Sequence, residues 1–337
     1  MALQELLKPI VFRDGRSLPN RLLPGPMDGV TEGSFLSVLT RRGYVWSWHT
    51  PFLRISTGVP GRGKLRTKLA PFAATGLPFI VQVMGLDGGR LAATAARLHE
   101  LGQFFDGGDA GVAPVCVDLN CACPSPTVLG SGSGGARLKD VPWLRDTMMR
   151  MRDACGDHGF SVKLRVGFES PDEFDGIAEA VRAARPDVAI VHYRTVREMY
   201  RPIDGGLDRL SRAVQALQGI PVIGSGDLFT VDDCLKMVEE TGVVGVAPAR
   251  GLMRNPRLLL ELRRHLEGQG ELPPMDRTAY LLDICRDALQ THCTRDNGFV
   301  LRLANAMLGK DHPLFREMAA CRKVEDTARM IERWSKT

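Results

Sequence analysis

Short apolar runs recur at regular intervals along the first 250 residues of the chain. Eight of them have the length and near-continuous apolar character of buried strands: LLPGPM from Leu22, VWSWHT from Val45, PFIVQVMG from Pro78, VCVDLNC from Val115, FSVKLRVG from Phe160, VAIVHYRT from Val188, PVIGSGD from Pro221 and GVVGVAPAR from Gly242. Strands that are apolar on both faces are typical of a parallel sheet covered by helices. The pattern therefore predicts such a sheet.

Helix-like segments lie between most of these runs: GRLAATAARLHELGQFF from Gly89, SPDEFDGIAEAVRAA from Ser170, GLDRLSRAVQALQG from Gly206 and TVDDCLKMVEETG from Thr230. The residues that open the second segment are an N-cap serine, a proline and two acids, which is a typical helix start. Eight alternating units favour a closed (β/α)₈ TIM barrel over an open doubly wound sheet. Residues 54–75 are rich in glycine and proline, and we expect them to form a loop.

The pattern changes after Pro256, because strand-like runs stop there. AYLLDICRDALQTHC, GFVLRLANAMLG and VEDTARMIERW all have helical spacing, and the linker EGQGELPPMD precedes them. The sequence therefore predicts a catalytic barrel over residues 1–256. It also predicts a linker and a small all-helical domain over residues 257–337, with its helices beginning near Leu272.

The amino-acid composition further limits the class of protein. The chain has 337 residues, of which 44% are hydrophobic, and it can bury a large core. It contains no run of eighteen apolar residues and no signal-peptide pattern at its start, so we expect a soluble cytoplasmic protein, most simply a monomer. Its eight cysteines are irregularly spaced without a CxxC pair, which favours reduced thiols and no metal site.

The distribution of charge is more informative than the net charge of +5. No acid occurs between Gly33 and Leu86, whereas this tract contains seven bases, namely Arg41, Arg42, Arg54, Arg62, Lys64, Arg66 and Lys68. Such an acid-free tract can bind a phosphate backbone, and it can equally be a solvated basic loop.

Candidate chemistry lies where the predicted strands end, since active sites of these barrels form at the carboxyl ends of the strands. The segments GSGD and ARG follow the seventh and eighth strands, the usual place of a phosphate site. Lys163 and Arg165 alternate with apolar residues on the fifth strand, so both face one side. A buried lysine is costly without an anion, so Lys163 could stabilise a reduced flavin to which Gln82 and His192 could also donate hydrogen bonds. Alternatively, the ammonium of Lys163 could reach solvent through the barrel mouth, and His192 could be an ordinary core residue.

The stretch VDLNCACPSPTVLGSGSGG places Cys123 at the rim, because Pro124 and Pro126 end the strand at once. The glycines that follow are expected to give flexibility to a lid. A rim thiol can be a nucleophile, a general acid or an inert group.

The motifs PGPMDGVTEGSF, FIVQVMG, VDLNCACPSPTVLGSGSGGARLKD, VKLRVGF, VHYRT, VIGSGDLF and APARGLMRNP resemble, in order and spacing, those of the flavin-dependent dihydrouridine synthases, which reduce uridines in tRNA. The resemblance covers residues 22–256, with a weaker similarity in HPLFREMAACRKVEDTARMIERW. It implies a TIM barrel with FMN at its mouth and a helical RNA-binding domain after it.

The resemblance also implies roles for residues of this chain. NADPH would reduce FMN, the flavin would deliver hydride to C6 of uracil, and Cys123 would protonate C5 from the opposite side. Asn120 would help to hold the base, and Arg165 and Arg194 would lie near the substrate nucleotide. Positions that match flavin and phosphate contacts are Pro26, Met27, Gln82, Lys163, His192, the backbone of Ser225, Gly226 and Asp227, and the Ala249-Arg250 pair.

Several positions depart from the family pattern. Ala122, Ser225 and Ala249 stand where the family usually has glycine, asparagine and glycine. The C-terminal helices carry nearly balanced charge, with Arg302 almost alone in its segment. RNA binding is therefore expected to rely more on the acid-free tract, through Arg62, Lys64, Arg66 and Lys68.

Other functions stay open at this point. A flavin-dependent RNA uridine methylase on the same scaffold would use the cysteine covalently. A small-molecule ene-reductase or a dihydroorotate-type flavoenzyme would share the barrel, and a non-catalytic RNA-binding barrel would keep only the fold.

Overall fold

The computed structural model describes residues 3–31, 33–105, 112–291 and 297–335. The strands are β1 (Ile10–Val11), β2 (Ser17–Leu18), β3 (Trp48–His49), β4 (Leu53–Ile55), β5 (Phe79–Gly85), β6 (Pro114–Cys121), β7 (Gly159–Arg165), β8 (Val188–His192), β9 (Val222–Ser225) and β10 (Gly245–Val246). In the described chain, β3 to β10 form one parallel sheet, and β1 pairs with β2 in an antiparallel hairpin.

The parallel sheet curls into a barrel. Its strands follow the order β10-β9-β8-β7-β6-β5-β3, with β4 pairing beside β3 on β5. The first predicted strand contributes a single parallel bridge, from Leu22 to Val246 of β10, and Leu23 N donates to Val246 O at 2.9 Å. The prediction of a (β/α)₈ barrel followed by helices is confirmed, although its first strand is reduced to this short contact.

Burial explains why the sheet forms here. Every residue of β5, β6, β8 and β9 is buried, and in β7 only Lys163 is not. Strands buried on both faces need helices outside and side chains inside, which is the arrangement of a barrel. At the amino-terminal end of the strands, the hairpin and Phe12 pack against Val115, Ile190 and Ile223 and close the core.

Helices alternate with the strands and then continue alone. They are α1 (Gly33–Arg41), α2 (Arg62–Ala73), α3 (Gly88–Phe105), α4 (Pro126–Gly130), α5 (Val141–Cys155), α6 (Phe174–Ala184), α7 (Gly206–Ala216), α8 (Val231–Thr241), α9 (Arg250–Arg254), α10 (Leu258–Leu266), α11 (Arg277–Thr291), α12 (Gly298–Leu308), α13 (Pro313–Ala320) and α14 (Val324–Trp334). Short 3₁₀ helices span Leu3–Leu7, Gly134–Lys139 and Pro171–Glu173. Ser170 and Thr230 each form a capping box at the start of a helix.

The prediction of a loop over residues 54–75 was wrong. The segment contains the end of β4 and all of α2. Leu65, Leu69 and Phe72 recur at helical spacing and are buried, so packing of this face outweighs the weak helix propensity of the neighbouring glycines and of Pro71. The helix carries four of the seven bases of the acid-free tract, Arg62, Lys64, Arg66 and Lys68, on its exposed surface.

In the part of the chain that the structure describes, five helices follow residue 257. The first, α10, packs against α8 and the 3₁₀ helix Leu3–Leu7 of the barrel. Helices α11 to α14 pack on one another, and α11 also packs on α1. The division of the chain at residue 256 stays a prediction.

An ion-paired contact joins α1 to α11. Arg41 binds Asp283 and Asp287 at 2.7 and 3.0 Å, Arg42 binds Asp283 at 2.7 Å, and Ser37 Oγ donates to Asp287. Arg41 and Arg42, the first two bases of the acid-free tract, therefore form ion pairs within the protein.

Over the described ranges, no helix is long and apolar enough to cross a membrane. The seven cysteines in those ranges are free, and Cys293 lies outside them. No cluster of three metal-ligating side chains occurs within the same ranges.

Candidate active site

A cavity of about 420 Å³ opens at the carboxyl ends of the strands. This volume is within the roughly 300–1,000 Å³ of pockets that bind drug-sized ligands. Twelve of the residues singled out in the sequence line it: Pro26, Met27, Gln82, Asn120, Cys123, Lys163, Arg165, His192, Ser225, Gly226, Ala249 and Arg250. The fold therefore brings together residues that are up to 224 positions apart, while their individual roles stay predictions.

The backbone around Cys123 is fixed by Asn120. The Asn120 Oδ1 atom accepts the backbone N–H groups of Ala122 and Cys123, each at 3.0 Å. The Asn120 Nδ2 atom donates to Gln82 Oε1 at 2.7 Å. Asn120 thus shapes the loop after β6, and its amide has one further hydrogen to offer.

Two of the glycines after this loop, Gly134 and Gly135, pack closely, contrary to the lid that we expected. Gly134 has a left-handed φ of +59°, and a Cβ there would lie 2.7 Å from the Val128 side chain and 3.2 Å from the Cys123 Cβ. A Cβ on Gly135 would lie 2.7 Å from the Val196 side chain. These glycines permit close approach to Cys123, because no larger residue fits.

The environment of Cys123 keeps its sulfur protonated. Burial raises the pKa of the Cys123 thiol, while a backbone hydrogen bond with Ser125 and the nearby charges of Lys163 and Arg165 oppose the shift. A nucleophilic cysteine needs the opposite shift, because the thiolate is its reactive form. This environment suits a proton donor better than a nucleophile.

Lys163 presents an ammonium group to the cavity. Burial and the neighbouring Arg165 lower the pKa of Lys163 to about 8, although Asp118 opposes this shift. Over the described chain, the Lys163 ammonium has no hydrogen-bond or ion-pair partner. A desolvated cation without a partner is costly, so the site is arranged for an anionic or hydrogen-bond-accepting ligand.

His192 is neutral and has a defined tautomer. Its Nδ1 atom accepts the backbone N–H of Arg194 at 3.1 Å, so the ring proton resides on Nε2. Burial, followed by the charges of Arg165 and Lys163, lowers the pKa of His192 well below its usual value. The imidazole is therefore a neutral donor at the wall of the cavity.

Arg165 is 2% exposed and is held by carbonyl groups. Its Nε atom donates to Ala122 O at 2.9 Å, and one terminal nitrogen donates to Thr195 O and Met199 O at 2.9 and 2.8 Å. Arg165 thereby ties the loop of Cys123 to the loop after β8.

The structure places Arg194 differently from our expectation of a position near the substrate nucleotide. Arg194 is 1% exposed and does not line the cavity. Its two terminal nitrogens bind the Asp227 carboxylate at 3.0 and 2.5 Å, and Arg250 binds the same carboxylate at 2.5 Å. The Arg194 guanidinium therefore faces away from the cavity, and it shares the Asp227 carboxylate with Arg250.

Our sequence reasoning missed Tyr200. This residue lines the cavity, is 49% exposed, and has the guanidinium groups of Arg165 and Arg250 at 5.5 and 4.5 Å from its ring centroid. The preceding Met199 has a left-handed φ of 52°. The sequence shows an aromatic residue eight positions after His192. It was missed because the search for site residues considered only strand ends, and Tyr200 lies in the loop after β8.

The predicted RNA-binding bases of α2 lie outside this cavity. Arg62, Lys64, Arg66 and Lys68 are all exposed, and Arg62 forms an ion pair with Glu100 at 2.7 Å. Lys68 also lines a second cavity of about 980 Å³ between α1, α2 and the C-terminal helices, together with Arg302 of α12.

Comparisons with solved structures concern the fold alone. A histamine dehydrogenase from Rhizobium sp. 4-9 has 14% sequence identity and a TM-score of 0.55, over 86% of this chain and 51% of that one. A variant of NCR from Zymomonas mobilis has 14% identity and a TM-score of 0.53, over 80% and 93% of the two chains.

Comparisons of sequence are more specific. The family model described as Dihydrouridine synthase (Dus) matches residues 23–298. The tRNA-dihydrouridine(16) synthase of Pseudomonas putida is 31% identical over 90% of this chain and 93% of its own length. That of Escherichia coli K12 is 32% identical over 71% and 74% of the two chains. The match to the family model spans most of the barrel and reaches into the C-terminal helices, and this chain belongs to the dihydrouridine synthase family.

Proposed function

We propose that this chain reduces the C5–C6 double bond of a uridine in tRNA to dihydrouridine, with FMN as cofactor and NADPH as reductant. The observation that carries the proposal is the position of Cys123, whose thiol, with a pKa raised by burial, lies on the same cavity as Lys163 and His192. Reconstitution with FMN, NADPH and unmodified tRNA tests it, because dihydrouridine should then form.

The residues of the cavity fit FMN. The unpartnered Lys163 ammonium and the Nε2–H of His192 suit the electron-rich edge of a flavin ring. Pro26 and Met27 supply an apolar wall, and Arg250 supplies a charged group for the phosphate. When bound, FMN supplies the hydride-transfer chemistry of the reaction.

Cys123 would donate the proton. As the uracil gains hydride at C6, negative charge develops at C5 and O4, and the Cys123 S–H bond breaks as the new C5–H bond forms. The resulting thiolate then regains a proton from water. Asn120 holds the loop in place for this transfer, and its remaining amide hydrogen can bind a carbonyl oxygen of the base.

Tyr200 and the face of α2 would bind the RNA around the target base. Tyr200 is exposed beside two guanidinium groups, which suits stacking with a base that has left its own stack. We propose position 16 of tRNA as the target, since relatives that align with most of this chain are named tRNA-dihydrouridine(16) synthases.

The uridine methylase alternative is weaker. Such an enzyme would use its cysteine covalently, and therefore as a thiolate. Burial raises the pKa of Cys123 and disfavours that form.

We expect Arg250→Ala to weaken FMN binding about tenfold or more and to leave riboflavin binding within twofold of the wild type. The reason is that Arg250 contributes a charge-assisted contact to the phosphate, which riboflavin lacks. Quenching of flavin fluorescence measures both affinities. Arg254→Ala is the matched control, because this guanidinium stacks on Phe229 as Arg250 does but does not line the cavity. Equal losses for FMN and riboflavin would remove Arg250 from the phosphate site.

Neutralising Arg62, Lys64, Arg66 and Lys68 to glutamine should weaken tRNA binding and flatten its salt dependence. Each phosphate contact contributes roughly 0.7–0.9 to the slope of log K against log salt, so the slope should fall by about 3 if all four bind. Filter binding between low and physiological salt measures it. Arg145→Gln/Lys236→Gln, which changes two exposed bases on α5 and α8, should keep the wild-type slope. An unchanged slope in the α2 variant would exclude this helix from the interface.

A further inference from the structure

A buried carboxylate lies one layer below the cavity, and the proposed reaction does not use it. Asp118, on β6, is fully buried, and among the described residues only Asp287 is a second buried aspartate. Its neighbours in strand register are Gln82 on β5 and Ser161 on β7. Gln82 Nε2 and His49 Nε2 lie 2.8 and 3.2 Å from Asp118 Oδ2, and Ser161 Oγ donates to Oδ1 at 2.7 Å.

The hydrogen bonds between Asp118 and Cys123 all run in one direction. The backbone N–H of Cys123 donates to Asn120 Oδ1, Asn120 Nδ2 donates to Gln82 Oε1, and Gln82 Nε2 donates to Asp118 Oδ2. A primary amide has nearly the same shape with its oxygen and nitrogen exchanged, so geometry alone does not select this direction. The two ends of the chain select it together, because the Asp118 carboxylate only accepts and the backbone N–H groups of Ala122 and Cys123 only donate.

We propose that Asp118 is a positioning residue for Cys123. Its carboxylate requires the Gln82 amide to turn its nitrogen toward Asp118 and its oxygen toward Asn120. That oxygen in turn requires the Asn120 amide to turn its nitrogen toward Gln82. Only in that orientation does Asn120 present oxygen to the backbone N–H groups of Ala122 and Cys123. The inference deepens the proposed function, on which its catalytic consequence rests.

Charge and burial strengthen this chain of hydrogen bonds. Bonds to an ionised acceptor are roughly twice as strong as bonds between neutral groups, and linked bonds polarise one another. Gln82, Asn120 and Asp118 are all at most 7% exposed, so water competes little for their polar atoms. The buried anion therefore acts on the loop at a distance of three hydrogen bonds.

The test is Asp118→Asn, which keeps the shape and lets both amide orientations form. Two quantities are measured on the FMN-loaded enzyme. The first is the rate of alkylation of Cys123 by iodoacetamide without RNA, read at that residue by tandem mass spectrometry. The second is the pair of kcat and KM for unmodified tRNA. We expect alkylation to rise at least threefold and kcat to fall at least tenfold, with KM within twofold of the wild type.

Two further variants sharpen the result. Ser161→Ala removes a hydrogen bond to the same carboxylate but lies outside the chain to Cys123, so both quantities should stay within twofold of the wild type. In Asp118→Asn/Gln82→Glu, an acceptor-only group again faces Asn120, and Cys123 alkylation should return to within twofold of the wild type. If Asp118→Asn does not accumulate as folded protein, the double variant carries the test.

Wild-type alkylation and kcat in folded Asp118→Asn would overturn the proposal, as would a double variant whose Cys123 is alkylated at least threefold faster than in the wild type. The alkylation rate needs no RNA chemistry. It therefore tests whether Asp118 positions the Cys123 loop even if the wild-type chain forms no dihydrouridine. The positioning role of Asp118 and the proposed reduction of uridine can thus fail separately.

Discussion

Cys123→Ala should accept electrons from NADPH through bound FMN at the wild-type rate and form dihydrouridine at least 100-fold more slowly. The reason is that a positioned general acid contributes about 10²- to 10⁴-fold to a rate, and among the cysteines of the described chain only Cys123 lines the cavity. Stopped-flow absorbance of the flavin separates the two half-reactions, and mass spectrometry of digested tRNA measures the product.

Cys121→Ala is the matched control for this experiment. Cys121 lies two positions earlier, is fully buried, and does not line the cavity. This variant should pass electrons to tRNA at a rate close to that of the wild type. Unimpaired dihydrouridine formation by Cys123→Ala would show that the proton has another source.

Lys163 should give the reaction a pH limit. Because the pKa of Lys163 is lowered to about 8, its ammonium loses the proton as pH rises through that value, and the rate of dihydrouridine formation should fall there. The Cys123 thiol does not account for this fall, since burial raises its pKa above the usual value of a cysteine. Lys163→Met should be at least tenfold slower at pH 7 and should show no fall near pH 8.

The pH profile of single-turnover rates at saturating tRNA checks this expectation. Lys139→Met is the control for general effects of charge, because Lys139 lies over the Phe168 ring and does not line the cavity. It should keep the wild-type profile. A fall near pH 8 that persists in Lys163→Met would assign the titration to another group.

The polar residues at the strand ends could be predicted from the sequence, because the alternation of apolar strands with helices is enough to locate those ends. Continuous apolar runs located β5 to β9, and parallel strands end at one edge of a barrel, so residues such as Gln82, Asn120 and Lys163 had to converge. The α2 helix was missed because glycine and proline obscured the buried spacing of Leu65 and Leu69.

Side-chain partners could not be predicted in the same way. Arg194 follows β8 just as Arg165 ends β7, yet its guanidinium turns to Asp227 and leaves the cavity, a choice that depends on the register of two loops. The hydrogen-bond chain from Asp118 to Cys123 depends on the pairing of Gln82 with Asp118 across β5 and β6. Such register is set by the assembled sheet and not by the local sequence.

The most direct test of the account is to map dihydrouridine in unmodified tRNA after incubation with the purified chain, FMN and NADPH. We predict that the modification appears at position 16, that omission of NADPH abolishes it, and that the Cys123→Ala substitution slows its formation at least 100-fold. A chain that binds FMN and oxidises NADPH but leaves every uridine of the tRNA unreduced would contradict the proposed function.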